Sequence, residues 1–145
     1  MPGDIIDITV DESCGLIVQK GGFLAATEGI YIETKIENLV KGLFSGIGFF
    51  AIRIKGVGTT FVNAWGAIHE INLKDNEEII IDNGHIVAWP DYMQYSIEKA
   101  NKSWFSSITS GEFLVCRFKG PGTILIQTRN FSSFTDKILG LIPKN

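Results

Sequence analysis

Basic clusters are the first absence: thirteen Lys and Arg stand against sixteen Asp and Glu, for a net charge of −3, and no stretch gathers cations as phosphate neutralisation requires. Nucleic-acid binding is therefore disfavoured. No apolar run approaches the roughly 20 residues of a membrane span, and Met1-Pro2-Gly3-Asp4 has neither the basic region nor the apolar core of a signal peptide. The expectation is a soluble, cytoplasmic protein with no transmembrane segment. Only two cysteines occur, Cys14 and Cys116; with no Cys-x-x-Cys spacing, neither zinc nor a disulfide framework is indicated.

Catalytic signatures are absent too. Ser45, Ser106 and Ser110 have no Gly-x-Ser-x-Gly elbow around them. The Gly-x-Gly pairs Gly56/Gly58 and Gly120/Gly122 lack the third glycine and following helix of a phosphate loop. Asp11-Glu12 and Asp75-Asn76-Glu77-Glu78 read as turns, because neither completes an oxygen-ligand loop for calcium. His69-Glu70, with His85 and Glu28, invites a cupin-like metal enzyme as the alternative function, but the His-x-His pair of such sites is missing. His69 falls on the same strand face as Ile71 and Leu73, which favours a half-buried histidine satisfied by hydrogen bonds. No catalytic residue, metal or cofactor is assigned.

What the chain does have is glycine, 16 against four prolines, with Ile, Val, Phe and Thr throughout and 45% hydrophobic residues over 145 positions. That composition describes short strands joined by tight turns around a sizeable core. The fold class is all-β. One heptad occurs twice, Arg53-Ile-Lys-Gly-Val-Gly-Thr59 and Arg117-Phe-Lys-Gly-Pro-Gly-Thr123, identical at five of seven positions and 64 residues apart. Alternating runs enter and leave each copy, so each reads as strand, hairpin turn, strand, with Gly56 or Gly58 and Gly120 or Gly122 supplying a positive φ.

The duplication extends further. A shift of 63 places Gly3, Ile5, Ile8, Gly21 and Ala25 on Gly66, Ile68, Ile71, Gly84 and Ala88, and Leu16-Ile17-Val18 on Ile79-Ile80-Ile81. Two units follow, 2–65 and 66–130, packed against each other with no Pro- or Ser-rich linker. Each is expected to be a small β-sandwich or double-stranded β-helix, with strands at 4–10, 15–20, 22–26, 29–37, 48–55 and 58–64, and again at 67–73, 78–82, 85–89, 92–99, 112–119 and 122–128. In the tail 131–145, Ser132 or Ser133 is expected to cap a short helix whose stripe of Phe131, Phe134, Ile138 and Leu141 docks on the β body or on a second subunit. Peripheral membrane contact by that stripe is the less favoured reading, with few basic residues beside it.

Two further sets point to surfaces. Arg53, Lys55, Arg117 and Lys119 share a face on equivalent strands and form either an anion site or intersubunit ion pairs. Leu43, Phe44, Phe49, Trp104 and Phe105 lie in and beside two loops, 40–48 and 101–111, where polar residues ordinarily dominate, and are expected to meet a neighbouring subunit.

Seven motifs in order carry a resemblance: Pro2-Gly-Asp-Ile-Ile, Gln19-Lys-Gly-Gly-Phe-Leu-Ala25, Gly42-Leu-Phe-Ser-Gly46, Lys55-Gly-Val-Gly58, Asp82-Asn-Gly-His-Ile-Val-Ala-Trp89, Ser110-Gly-Glu112 and Lys119-Gly-Pro-Gly-Thr-Ile-Leu-Ile-Gln-Thr-Arg129. Together the sequence resembles the AIM (altered inheritance of mitochondria) biogenesis family over residues 2 to 139. The resemblance implies a fold like the trp RNA-binding attenuation protein and a homo-oligomer, with a trimer expected. It supplies no catalytic residue. Family chains usually carry a further stretch before Pro-Gly-Asp-Ile, which implies a short or a truncated member. The leading functional expectation is a self-assembling scaffold or binding module.

Overall fold

The computed structural model describes residues 2–19, 21–35, 51–99 and 114–142. Among them lie twelve strands: β1 (Ile5–Val10), β2 (Leu16–Gln19), β3 (Phe23–Ala26), β4 (Ile30–Lys35), β5 (Ala51–Gly56), β6 (Gly58–Asn63), β7 (Ile68–Leu73), β8 (Glu78–Asp82), β9 (Ile86–Pro90), β10 (Gln94–Lys99), β11 (Leu114–Lys119) and β12 (Gly122–Gln127), followed by helix α1 (Phe131–Gly140). Every strand expected from alternation is present. In β1 the side chains of Ile6, Ile8 and Val10 turn inward while Ile5, Asp7 and Thr9 face out, the period-2 pattern of a half-buried strand. Both loops 40–48 and 101–111 lie outside the described residues, with Leu43, Phe44, Phe49, Trp104 and Phe105 and the serines Ser45, Ser106 and Ser110.

The strands form three sheets, ordered β1-β6-β3, β10-β11-β8 and β4-β5-β2-β9-β12-β7, and all the strand pairs are antiparallel. Residues 63 or 64 positions apart pair alike. Ile5 faces Asn63 as Ile68 faces Gln127, and Leu16 faces Ile54 as Ile79 faces Phe118. Even the irregularity recurs: β3 slips against β6 between Phe23 and Ala25, where β9 slips against β12 opposite Leu125 and Ile126. Among the described residues one pairing has no counterpart. It joins β2 to β9, with Leu16 on Pro90, Ile17 on Trp89 and Val18 on Ala88, and fuses three strands of each half into the six-stranded sheet.

The Gly-x-Gly segments are corners, not hairpins. Strand β5 belongs with β4 and β2 whereas β6 belongs with β1 and β3, so Gly56-Val57-Gly58 carries the chain from one sheet to the other, as Gly120-Pro121-Gly122 does between β11 and β12. Alternation on both sides of a turn is equally what a layer crossing produces, which is why the sequence alone read a hairpin. Positive φ falls on Gly56 (110°) in the first copy and on Gly122 (153°) in the second. The Gly120-Pro121 peptide bond is cis.

Among the described residues two apolar clusters fill the interior, and each draws on both halves. Val10, Ile54 and Val62 of the first half pack with Val87, Ala88 and Leu125 of the second, while Trp89, Cys116, Phe118 and Ile124 pack with Ile17 and Ala51. Trp89 and Phe118, both fully buried, meet edge to face with ring centroids 5.3 Å apart. Helix α1 starts two or three residues earlier than its serines suggested: Asn130, not Ser132 or Ser133, is the cap, its side-chain oxygen accepting from the Ser133 amide at 2.8 Å. Phe131 and Phe134 meet Trp65 in tilted contacts at 5.6 and 5.2 Å, so one end of the stripe touches the β body, although Phe131, Phe134, Ile138 and Leu141 all remain exposed.

Candidate functional site

The joint between the halves concentrates the specific chemistry. Asp91, just after β9, accepts from the Gly15 amide at 3.1 Å and returns its own amide to the Gly15 carbonyl at 2.9 Å, clamping the start of β2. Its second carboxylate oxygen lies 3.8 Å from Arg53 Nε, and Glu33 approaches the same guanidinium at 3.9 Å. At the far end of β2, Gln19 donates to the Asn83 carbonyl and side-chain oxygens at 2.7 and 2.8 Å. Main-chain pairing, a buried apolar seam and two polar clamps thus hold β2 to β9.

Arg117, the repeat equivalent of Arg53, lies in a different sheet and has its own carboxylates. Its Nε donates to Glu98 at 2.9 Å, and Glu78 stands 3.5 Å from Nη1. The hydrogen bond from Arg117 holds the Glu98 carboxyl below its ordinary range, and Glu98 in turn raises the guanidinium's affinity for its proton. Each arginine is therefore flanked by two carboxylates. Lys55 and Lys119 take no part in those ion pairs among the described residues, and Arg53 and Arg117 stand in different sheets.

The half-buried, hydrogen-bonded histidine expected at position 69 is found at position 85. His69 is exposed on β7 opposite Ile126, and Glu70, its neighbour on the strand, faces the other way opposite Leu125. It is His85 that is half-buried and satisfied: Nδ1 lies 2.8 Å from the Gln127 carbonyl, and Nε2 is 3.0 Å from Asn130 Nδ2. A carbonyl only accepts, and the Asn130 oxygen is already committed to the helix cap, so Nδ1 carries the proton and Nε2 receives one hydrogen bond. Both ring nitrogens are used in structure. Among the described residues, no three His, Cys, Asp or Glu side chains come together as a metal would need.

Sequence reasoning missed two buried amides. Gln127 accepts from the Trp65 amide at 2.8 Å and donates to the Gly84 carbonyl at 2.8 Å. Asn63, at the equivalent place, donates to the Gly21 carbonyl at 2.9 Å once its amide is oriented to do so. Gly21 and Gly84 are themselves repeat equivalents. The readable signal was an amide at matching positions of two otherwise apolar strands.

Two strand edges complete the site. Among the described residues β3 pairs only with β6, and β8 only with β11. They are the repeat equivalents of β9 and β2, the strands joined in the centre. Burial follows that difference: Val87 of β9 is 2% exposed and its equivalent Leu24 of β3 is 48% exposed. Ala25 and Ala26 are exposed where Ala88 and Trp89 are buried.

Among known proteins, this chain is similar to M6_Spy0233, an uncharacterised protein of Streptococcus pyogenes serotype M6, with 33% identity over 143 residues that are 98% of this chain and 56% of that protein. The chain thus spans about half the length of that curated relative. The crystal structure of SPYM3_0169 from Streptococcus pyogenes superposes with a TM-score of 0.80 at 31% identity, covering 98% of this chain and 62% of that one. The family described as mitochondrial biogenesis AIM24 matches residues 1–129, nearly the whole β body, and on that match the chain belongs to the mitochondrial biogenesis AIM24 family.

Proposed function

We propose that the chain is a non-catalytic β-scaffold, built of two like units at 2–65 and 66–130 with a helical tail at 131–145, that self-assembles into a homo-oligomer and offers a binding surface. One observation supports the reading: three of the polar groups that suggested chemistry, His85, Arg53 and Arg117, are engaged within the chain, while large apolar side chains stand uncovered on the described surface. His85 is held by Gln127 and Asn130, and Arg53 and Arg117 by carboxylates. Leu24, Tyr31, Ile32, Leu139 and Ile142 are exposed. Exposed apolar area of this kind serves association better than turnover. No helix among the described residues is long and apolar enough to cross a membrane.

A trimer is the size that family resemblance implies. The cupin-like alternative gains nothing from the arrangement, because His69 and Glu70 face opposite sides of β7 and His85 is engaged elsewhere. Sedimentation velocity at micromolar concentrations tests the proposal. A species heavier than the monomer is expected, and a monomer at every concentration contradicts self-assembly.

A further inference from the structure

Among the described residues the β2·β9 joint stands without a counterpart between β3 and β8. If the two halves were related by a closed two-fold, β3 and β8 would pair with each other as their equivalents β9 and β2 do. They do not; each stands at the edge of a three-stranded sheet. Applying the same half-to-half relation again places another β3 edge against β8. Every chain carries one edge of each kind, so copies of the chain complement one another head to tail, a heterologous contact that closes into a ring when the rotation allows.

The polar clamp transposes as well. Asp91 of the second half reaches Arg53 of the first. The repeat shift puts Glu28 at the place of Asp91 and Arg117 at the place of Arg53. Glu28 is exposed, two residues beyond the edge strand β3. The Arg117 side chain is 40% exposed, against 21% for Arg53 beneath the joint. An acid and a base therefore recur at the two positions where the internal joint has its ion pair.

Resting on the self-assembly proposed above, we propose that β8 of one chain pairs antiparallel with β3 of a second copy of this chain, Ile79 facing Thr27, Ile80 facing Ala26 and Ile81 facing Ala25, with Glu28 of the second copy on Arg117. That register is the β2·β9 register carried over residue by residue. It covers Leu24, Ala25 and Ala26, and it removes two open edges of the kind that otherwise template uncontrolled pairing.

Site-directed cross-linking tests the contact in the full chain. Two variants are made in a Cys14→Ser background, one with Ala26→Cys and the other with Ile80→Cys, and are mixed and oxidised. The contact predicts a disulfide-linked dimer in the mixture and none from either variant alone. An oligomer in sedimentation that yields no such dimer would overturn the edge pairing and leave self-assembly standing. A monomer throughout would remove both, as would be seen if a further unit of a longer chain covered these edges instead. Charge exchange gives a second reading that does not depend on new cysteines: Glu28→Arg should weaken association about three- to tenfold, and adding Arg117→Glu should restore it. Weakening without restoration, in a double variant that melts like the parent, would count against the ion pair.

Discussion

Asp91 holds Gly15 and Arg53 at once: one carboxylate oxygen accepts the Gly15 amide at 3.1 Å and the other stands 3.8 Å from the guanidinium. A single side chain of the second half thereby ties the start of β2 to the middle of β5, both of the first half. Asp91→Ala leaves a half-buried amide and a cation without that partner, and should cost about 1 to 3 kcal/mol in denaturant unfolding. Asp91→Asn keeps an acceptor for the amide and should cost less. Equal midpoints for wild type and Asp91→Ala would show that the clamp contributes nothing.

Cys116 is fully buried between Phe118 and Ile81 in the shared core. Burial, aided by the negative charge of Glu98, pushes its thiol from 9.0 up to about 12. The folded chain therefore keeps the proton where the unfolded chain releases it. This group's stabilising share is complete below about pH 9 and is lost as the pH rises toward 12, by up to about 1.4 kcal/mol per pH unit. Cys116→Ala should be less stable at neutral pH through lost packing, yet show a shallower alkaline decline. Parallel declines in urea titrations from pH 8 to 11 would contradict this.

Asn130 joins α1 to the segment before β9, capping the helix through Ser133 and meeting His85 at 3.0 Å. Its replacement by alanine removes both contacts and should lower stability by about 1 to 2 kcal/mol. Helical circular dichroism should fall with it. Asn130→Ser, which retains a capping oxygen but cannot reach as far, should fall between the two.

The strands were legible because period-2 alternation survives wherever one face of a sheet is buried, as in Ile6, Ile8 and Val10. Strand pairing was not. Nothing local to Leu16-Ile17-Val18 distinguishes a partner in β9 from one in β3, since the repeat makes those two strands alike. The corner at Gly56 read as a hairpin for a related reason: the residues specify a sharp turn but not which sheet the chain enters next. His69 was placed by face alone, and the carbonyl of Gln127 that satisfies His85 lies 42 residues away. Asn130 and Ser132 are comparable capping residues, and it is His85 that orients the one that serves.

Gly56 combines φ = 110° with a close approach to the Gly29 carbonyl. A Cβ there is strained twice, once by the backbone region and once by the contact. Gly56→Ala should cost about 1 to 3 kcal/mol, whereas Gly140→Ala, which meets nothing within 4 Å at the end of the helix, should be tolerated. Thermal melts of the two variants make the comparison. Similar midpoints would mean that the corner does not require glycine.

Hydrogen–deuterium exchange across protein concentration tests the central claim, that the joint inside the chain is repeated between chains. Amides of β2 and β9 should be protected at every concentration, because their pairing is internal. Those of β3 and β8 should gain protection as the protein is concentrated, in the 23–27 and 78–82 segments together. Exchange in both segments that stays fast and independent of concentration, while β2 and β9 remain protected, would contradict the account.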